Sequence, residues 1–204
     1  MLRSARFQPQ LTLVSQVEVV ELASVEVLAA DGSGWSALPM GTGRAAAAAA
    51  VLPCGKVLVT GGHDGRRDGR HAALKTAELW DPVTGAWSEL PPMAERRCGH
   101  GCCVLPSGRV AVVGGPSATG SYDGGEVYDP VARTWQPLPP MGHRSDGVVA
   151  VAGGLLSVGR GTAELFDEES WRWFQLPEEM ADPRNYCSVV SVPAAALAPS
   201  AASQ

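Results

Sequence analysis

The apolar positions of this chain fall in short runs of about four to six residues, each broken by glycine, proline or a charged turn. Cys102-Cys103-Val104-Leu105, a Pro106-Ser107-Gly108 turn and Val110 to Val113 predict a hairpin of two apolar strands. Gly125 to Tyr128 predicts a third strand. Asp129-Pro130-Val131-Ala132-Arg133 predicts the turn after it, because aspartate caps backbone N–H groups just downstream and proline presets the turn dihedral. Thr134 to Leu138 alternates as a half-exposed outer strand, and Pro139-Pro140 ends it because proline brings no N–H to a ladder. One four-stranded antiparallel sheet is therefore encoded within about 94–138.

The same order recurs. A glutamate precedes a tryptophan by nine residues four times: Glu26 and Trp35, Glu78 and Trp87, Glu126 and Trp135, Glu164 and Trp173. Leu28, Trp80, Tyr128 or Phe166 stands two residues after each acid. Leucine and proline follow each tryptophan, then methionine (Met40, Met93, Met141, Met180), then an arginine at Arg44, Arg97, Arg144 or Arg184. Glycine pairs close the second strand at Gly61-Gly62 and Gly114-Gly115. Successive tryptophans lie 52, 48 and 38 residues apart, with the variation gathered between the glycines and the acid, where a surface loop tolerates insertion. Repeats of about 40–50 residues built from strands predict the blades of a propeller.

Ala45 to Ala50 tests that reading, since alanine is the best helix former. The equivalent positions one repeat on are Cys98-Gly99-His100-Gly101-Cys102-Cys103, which no helix favours. The segment is therefore expected as an innermost strand, where converging blades admit only small side chains.

Full repeats are expected at about 41–90, 94–138 and 142–176, with a half unit at 24–38 and a trailing strand at 184–192. The repeat region thus runs over 24–192. Segment 1–23 offers one extra strand at Leu11 to Leu22, and Ala/Pro/Ser-rich 193–204 is expected as a disordered tail. The two terminal pieces either complete a fourth blade or belong to an open, partial array whose edges need covering.

Composition narrows the function classes. With 16 Lys+Arg against 21 Asp+Glu the chain is mildly acidic, which argues against nucleic acid or an anionic membrane as partner. The five cysteines are odd in number and clustered, a poor disulfide framework, so a reducing, cytoplasmic setting is expected. The start Met1 to Gln16, with Arg3, Arg6 and no acid, leaves an organelle-targeting segment as the alternative.

Candidate chemistry is sparse. Cys98, His100 and Cys102 alternate as a strand would place them on one face, yet the aligned alanines suggest a position that wants small residues, and packed free thiols are expected. His63, Asp64 and His71 lie in a Gly-rich charged loop expected to be solvated. Gly55-Lys56 lacks the Ser/Thr of a phosphate loop and reads as a hairpin turn. Glu78, Glu126 and Glu164, with Trp35, Trp87, Trp135 and Trp173 and the glycines Gly61, Gly62, Gly114 and Gly115, are assigned to blade structure, because a residue present in every unit is what packing requires. No catalytic residue, metal site or cofactor is expected. The recurring arginines have two readings: they bond backbone carbonyls and the repeat acid, or they bind carboxylates of a partner through their planar forks.

These features resemble the kelch repeat: a glycine pair after the second strand, an aromatic in the third and a tryptophan nine residues beyond a glutamate. The resemblance spans about Ser24 to Ser191. It implies an all-β propeller of four-stranded antiparallel blades, here about four, and a non-enzymatic module binding a protein or peptide partner. It also implies that Arg44, Arg97, Arg144 and Arg184 line one mouth and grip an acidic segment, with Arg96 and His143 beside them. The alternatives are an enzyme on a kelch-like scaffold, akin to galactose oxidase or a sugar mutarotase, or a fragment of a larger propeller.

Overall fold

Each predicted hairpin is present in the computed structural model, which describes residues 23–28, 32–64, 73–115, 123–145, 147–159 and 161–177. The chain divides into two compact units, residues 1–99 and 100–204.

In the first unit β1 (Ser24–Leu28) and β2 (Trp35–Pro39) form a two-stranded antiparallel sheet in which Leu28 pairs with Trp35. Next come β3 (Ala48–Val51), β4 (Val57–Thr60), β5 (Ala77–Asp81) and β6 (Ala86–Leu90), paired in chain order as an antiparallel meander. The outer pair carries Trp80 opposite Trp87, ring centroids 6.5 Å apart. Val27 and Leu38 of the small sheet pack on Val57, Val59 and Trp80, the core of this unit.

The second unit repeats the plan twice. Strands β7 (Gly101–Val104), β8 (Val110–Val113), β9 (Gly125–Asp129) and β10 (Thr134–Pro137) make one sheet. The other comprises β11 (Gly147–Val151), β12 (Gly154–Val158), β13 (Ala163–Asp167) and β14 (Arg172–Gln175). Between them lie Cys103, Ala111, Val127 and Leu138 from the first sheet and Leu155 and Phe166 from the second. Phe166 is fully buried, worth about 1.5–3 kcal/mol in removed apolar surface. A polar tie spans the same two sheets: Arg109 binds Glu168 at 2.7 Å and lies 5.0 Å over the Trp171 ring, while the Ser107 hydroxyl donates to the same carboxylate.

The alanine run is strand, but only from Ala48. Ala45 and His63 exchange backbone hydrogen bonds of 3.1 and 2.9 Å, and Ala46 takes φ 51°, so the chain turns before it enters β3. The glycine pairs earn their place sterically. Gly62 has φ 88°, and a Cβ there would stand 2.7 Å from the Ala45 carbonyl oxygen. Gly114 repeats this against the Ser145 carbonyl, at 2.9 Å.

The fold is all-β: the described residues form three four-stranded antiparallel sheets, each with the strand order of a propeller blade, and one two-stranded sheet. The strands expected to complete that fourth sheet, Leu11 to Leu22 and 184–192, and the 193–204 tail lie outside the described residues.

Candidate functional site

Every full blade buries its repeat glutamate: Glu78 and Glu126 are each 3% exposed and Glu164 is 6%. A buried carboxylate needs donors, because desolvation without hydrogen bonds costs several kcal/mol. In the first unit the segment before β3 supplies them. Gly41 N–H donates to Glu78 Oε2 at 2.8 Å, while Arg44 donates to Oε1 through Nε at 3.1 Å and Nη2 at 2.8 Å. The rest of the guanidinium is taken by the Gly61 carbonyl at 2.8 Å, the Thr76 carbonyl at 3.0 Å and the Thr76 hydroxyl at 2.8 Å. Arg44 is thus a structural cross-link between the blade entry, the glycine pair and β5. Its side chain is closed to solvent, so the expectation that it grips a partner gives way to the structural reading.

Arg97 is buried as well, 3% exposed, with its backbone N–H on the Leu74 carbonyl and its own carbonyl accepting from Gly62 N–H. So little exposed, it is withdrawn from the partner-facing set for the same reason.

The last blade departs from this scheme. Gly142 N–H donates to both Glu164 oxygens at 3.0 Å, the counterpart of the Gly41 contact. Arg144 follows its methionine by three residues where Arg44 and Arg97 follow theirs by four, and it is exposed. The residue four beyond Met141 is Ser145, which is buried and accepts from the buried Ser157 hydroxyl at 2.9 Å. His143 turns inward: Nδ1 lies 3.6 Å from Glu164 Oε2 and Nε2 lies 3.4 Å from Ser157 Oγ. A serine, a histidine and a glutamate in this order resemble the parts of a nucleophilic relay. Ser157 has no exposed surface, however, so in this arrangement its hydroxyl meets no substrate, and the cluster ties β12 and β13 to the incoming chain.

Sequence reading put His143 with the partner-facing cations and did not single out Ser145 or Ser157. The signal was there: Ser157 opposes Glu164 in the register position held by Val59 and Val112 in the other blades.

Of the cations expected at a binding face, Arg96 and Arg144 are solvent-exposed. Arg96 reaches back to the Ala73 carbonyl through Nη1 at 3.2 Å. Arg184 lies outside the described residues. Among the repeat tryptophans, Trp87, Trp135 and Trp173 are half-buried against Trp80, Tyr128 and Phe166. Trp173 also donates through Nε1 to the Pro139 carbonyl at 2.8 Å, and Trp35 occupies the matching register position opposite Leu28.

Among the described residues the cysteines form no disulfide: Cys54 is exposed, Cys98 and Cys102 are half-buried, and burial pushes the Cys103 thiol up to about 12. Gly99 at φ 58° breaks the alternation expected from Cys98 to Cys102. Among the described residues no group of three or more His, Cys, Asp or Glu is placed to hold a metal ion.

Comparison with known proteins places this architecture. The family model of the kelch motif matches residues 44–94 and 96–142. Over 76 residues the chain is 38% identical to the F-box/kelch-repeat protein SKIP20 of Arabidopsis thaliana, a match covering 36% of this chain and 17% of that protein. Among solved structures, it resembles that of YjhT with a TM-score of 0.65 at 16% identity, over 79% of this chain and 61% of the other. It also resembles a fungal alcohol oxidase of the AA5 family in complex with copper, with a TM-score of 0.62 at 19% identity, over 78% and 36%. At these identities the two structural likenesses show the fold.

Proposed function

We propose, for a chain that belongs to the kelch-repeat family, that it is a non-enzymatic interaction module. Its partner is a protein or peptide that offers carboxylates to the solvent-facing arginines of the blade-entry turns. The observation that carries this reading is the division of labour among the arginines. Arg44 is consumed inside its blade by Glu78, Gly61 and Thr76, whereas Arg96 and Arg144 stand exposed in the turns that follow Met93 and Met141. An exposed guanidinium on a net-acidic protein is a local cation that carboxylate pairs recognise bidentately. The curated relative is named as a kelch-repeat protein joined to an F-box, which accords with a module that works through other proteins.

Affinity capture with the intact chain tests this. Wild type retains a defined partner set, and the charge reversals Arg96→Glu and Arg144→Glu remove members of it while thermal stability is unchanged. Retention of every partner by the double variant removes the site.

A further inference from the structure

Two hairpins of this chain turn on the same backbone. In Leu52-Pro53-Cys54-Gly55-Lys56 the Leu52 N–H donates to the Lys56 carbonyl and the Gly55 N–H to the Leu52 carbonyl, both at 2.8 Å. In Leu105-Pro106-Ser107-Gly108-Arg109 the Leu105 N–H donates to the Arg109 carbonyl and the Gly108 N–H to the Leu105 carbonyl, again at 2.8 Å. Cys54 stands at the place of Ser107, so the turn itself does not require a hydroxyl.

The Ser107 hydroxyl has other partners. Ser107 is exposed, and its side chain lies between a carboxylate and a guanidinium. The hydroxyl donates to Glu168 Oε1, and the Ser107 N–H donates to Glu168 Oε2 at 3.2 Å. Arg109 Nε donates to Ser107 Oγ at 3.1 Å and to Glu168 Oε1 at 3.0 Å, while Nη2 donates to Glu168 Oε1 at 2.7 Å. Glu168 sits in the turn between β13 and β14, so these bonds hold the sheet β11–β14 to the sheet β7–β10.

The same guanidinium lies 5.0 Å over the Trp171 ring. Trp171 takes φ 57° at the turn position that Gly85 fills in the first full blade. A bulky residue keeps that conformation where its surroundings over-determine it. Here those surroundings are the edge contact with Phe166 at 5.1 Å and Arg109 above the ring. Arg109 therefore serves the hairpin, the carboxylate and the strained tryptophan together.

We infer that Ser107 is a phosphorylation site and that its phosphate releases the tie between these two sheets. A protein kinase transfers the γ-phosphoryl group of a nucleoside triphosphate to Ser107 Oγ. The P–Oγ bond forms, the bond from the γ-phosphorus to the bridging oxygen breaks, the nucleoside diphosphate leaves, and the hydroxyl proton passes to the kinase's base. Glu168 then loses the hydroxyl that donates to it and meets about 1.5 to 2 added negative charges. Arg109, already within reach of Oγ, pairs with the phosphate, which outbids the carboxylate in charge and in acceptor oxygens. The guanidinium stays with its own hairpin, and Glu168 and Trp171 lose it.

Phosphopeptide mass spectrometry on the full chain isolated from its own cells, with phosphatases inhibited, tests the site. Phosphate on Ser107 is expected, and recovery of that peptide without any phosphorylated form overturns the site. Calorimetry on the chain carrying genetically encoded phosphoserine at position 107 tests the release. The melting temperature is expected to fall by about 5 °C relative to the unmodified chain. In the Glu168→Gln background that fall should vanish or reverse, because no carboxylate opposes the phosphate and its pairing with Arg109 remains. A rise on phosphorylation of the wild-type chain, or an equal fall in Glu168→Gln, overturns the release. The capture experiment on Arg96 and Arg144 is independent of all these outcomes.

Discussion

Arg44 and Glu78, separated by 34 residues in sequence, meet at 2.8 Å in the interior of the first full blade, with side-chain exposures of 0% and 3%. The pair fastens the incoming chain to the third strand of the sheet, and the spare donors of the guanidinium fasten the glycine pair as well. Truncating one member leaves the other charged, buried and without its partner, which costs about 3–5 kcal/mol. Arg44→Met is therefore expected to lower the melting temperature by on the order of 10 °C in calorimetry. Arg44→Lys retains the charge but loses the fork, and should fall between this and wild type.

Gly62 and Gly85 separate two kinds of glycine. Both have positive φ, 88° and 69°, but a Cβ on Gly85 meets nothing within 4 Å, whereas one on Gly62 stands 2.7 Å from the Ala45 carbonyl oxygen. Gly85→Ala should cost about 1 kcal/mol in denaturant unfolding, the conformational term alone. Gly62→Ala should cost clearly more, about 2–3 kcal/mol, because backbone must also move.

Three turn aspartates at equivalent places share a titration behaviour. Lys56 and the Val83 N–H hold the Asp81 carboxyl below the ordinary range. The Ala132 and Val131 N–H groups do the same for Asp129, and the Ser170 hydroxyl and N–H for Asp167. A carboxyl depressed on folding stabilises the fold above its unfolded value, about 3.9, and that contribution is lost as pH falls through the lower folded value. Thermal stability should accordingly decline below about pH 4, with a shallower acid limb in the triple Asp→Asn variant. An unchanged acid limb would contradict the role given to these turns.

Thiol labelling discriminates the cysteines. Cys54 is exposed, whereas burial holds Cys103 mostly as the thiol, with its value pushed up to about 12. The thiolate is the nucleophile, so an alkylating reagent at pH 8 should modify Cys54 first and leave Cys103 unmodified until the protein is unfolded. Peptide mass spectrometry reads the order directly.

The repeat carried most of the fold in its spacing. Glutamate, aromatic and tryptophan at constant offsets fixed where β5, β9 and β13 lie and which residue each outer strand brings opposite them. Period also overruled propensity at Ala48 to Val51, which is strand. The strand start was not readable, because it depends on the bridge between Ala45 and His63, and that contact lies across the glycine pair rather than along the chain. The candidate site was less legible. Arginines that follow methionines look equivalent in the sequence, yet Arg44, four residues on, is buried in its blade, whereas Arg144, three residues on, is an exposed residue. Spacing had to be counted from the methionine to see it, and the compensating Ser145 and Ser157 are visible only against the valines of the other blades.

A partner held at the exposed blade-entry turns would shield their backbone from solvent. Hydrogen exchange on the intact chain, alone and with a captured partner, is then expected to slow at 94–97 and 142–145. Protection confined to the opposite turns at 82–85 and 130–133, with the arginine turns unchanged, would contradict it.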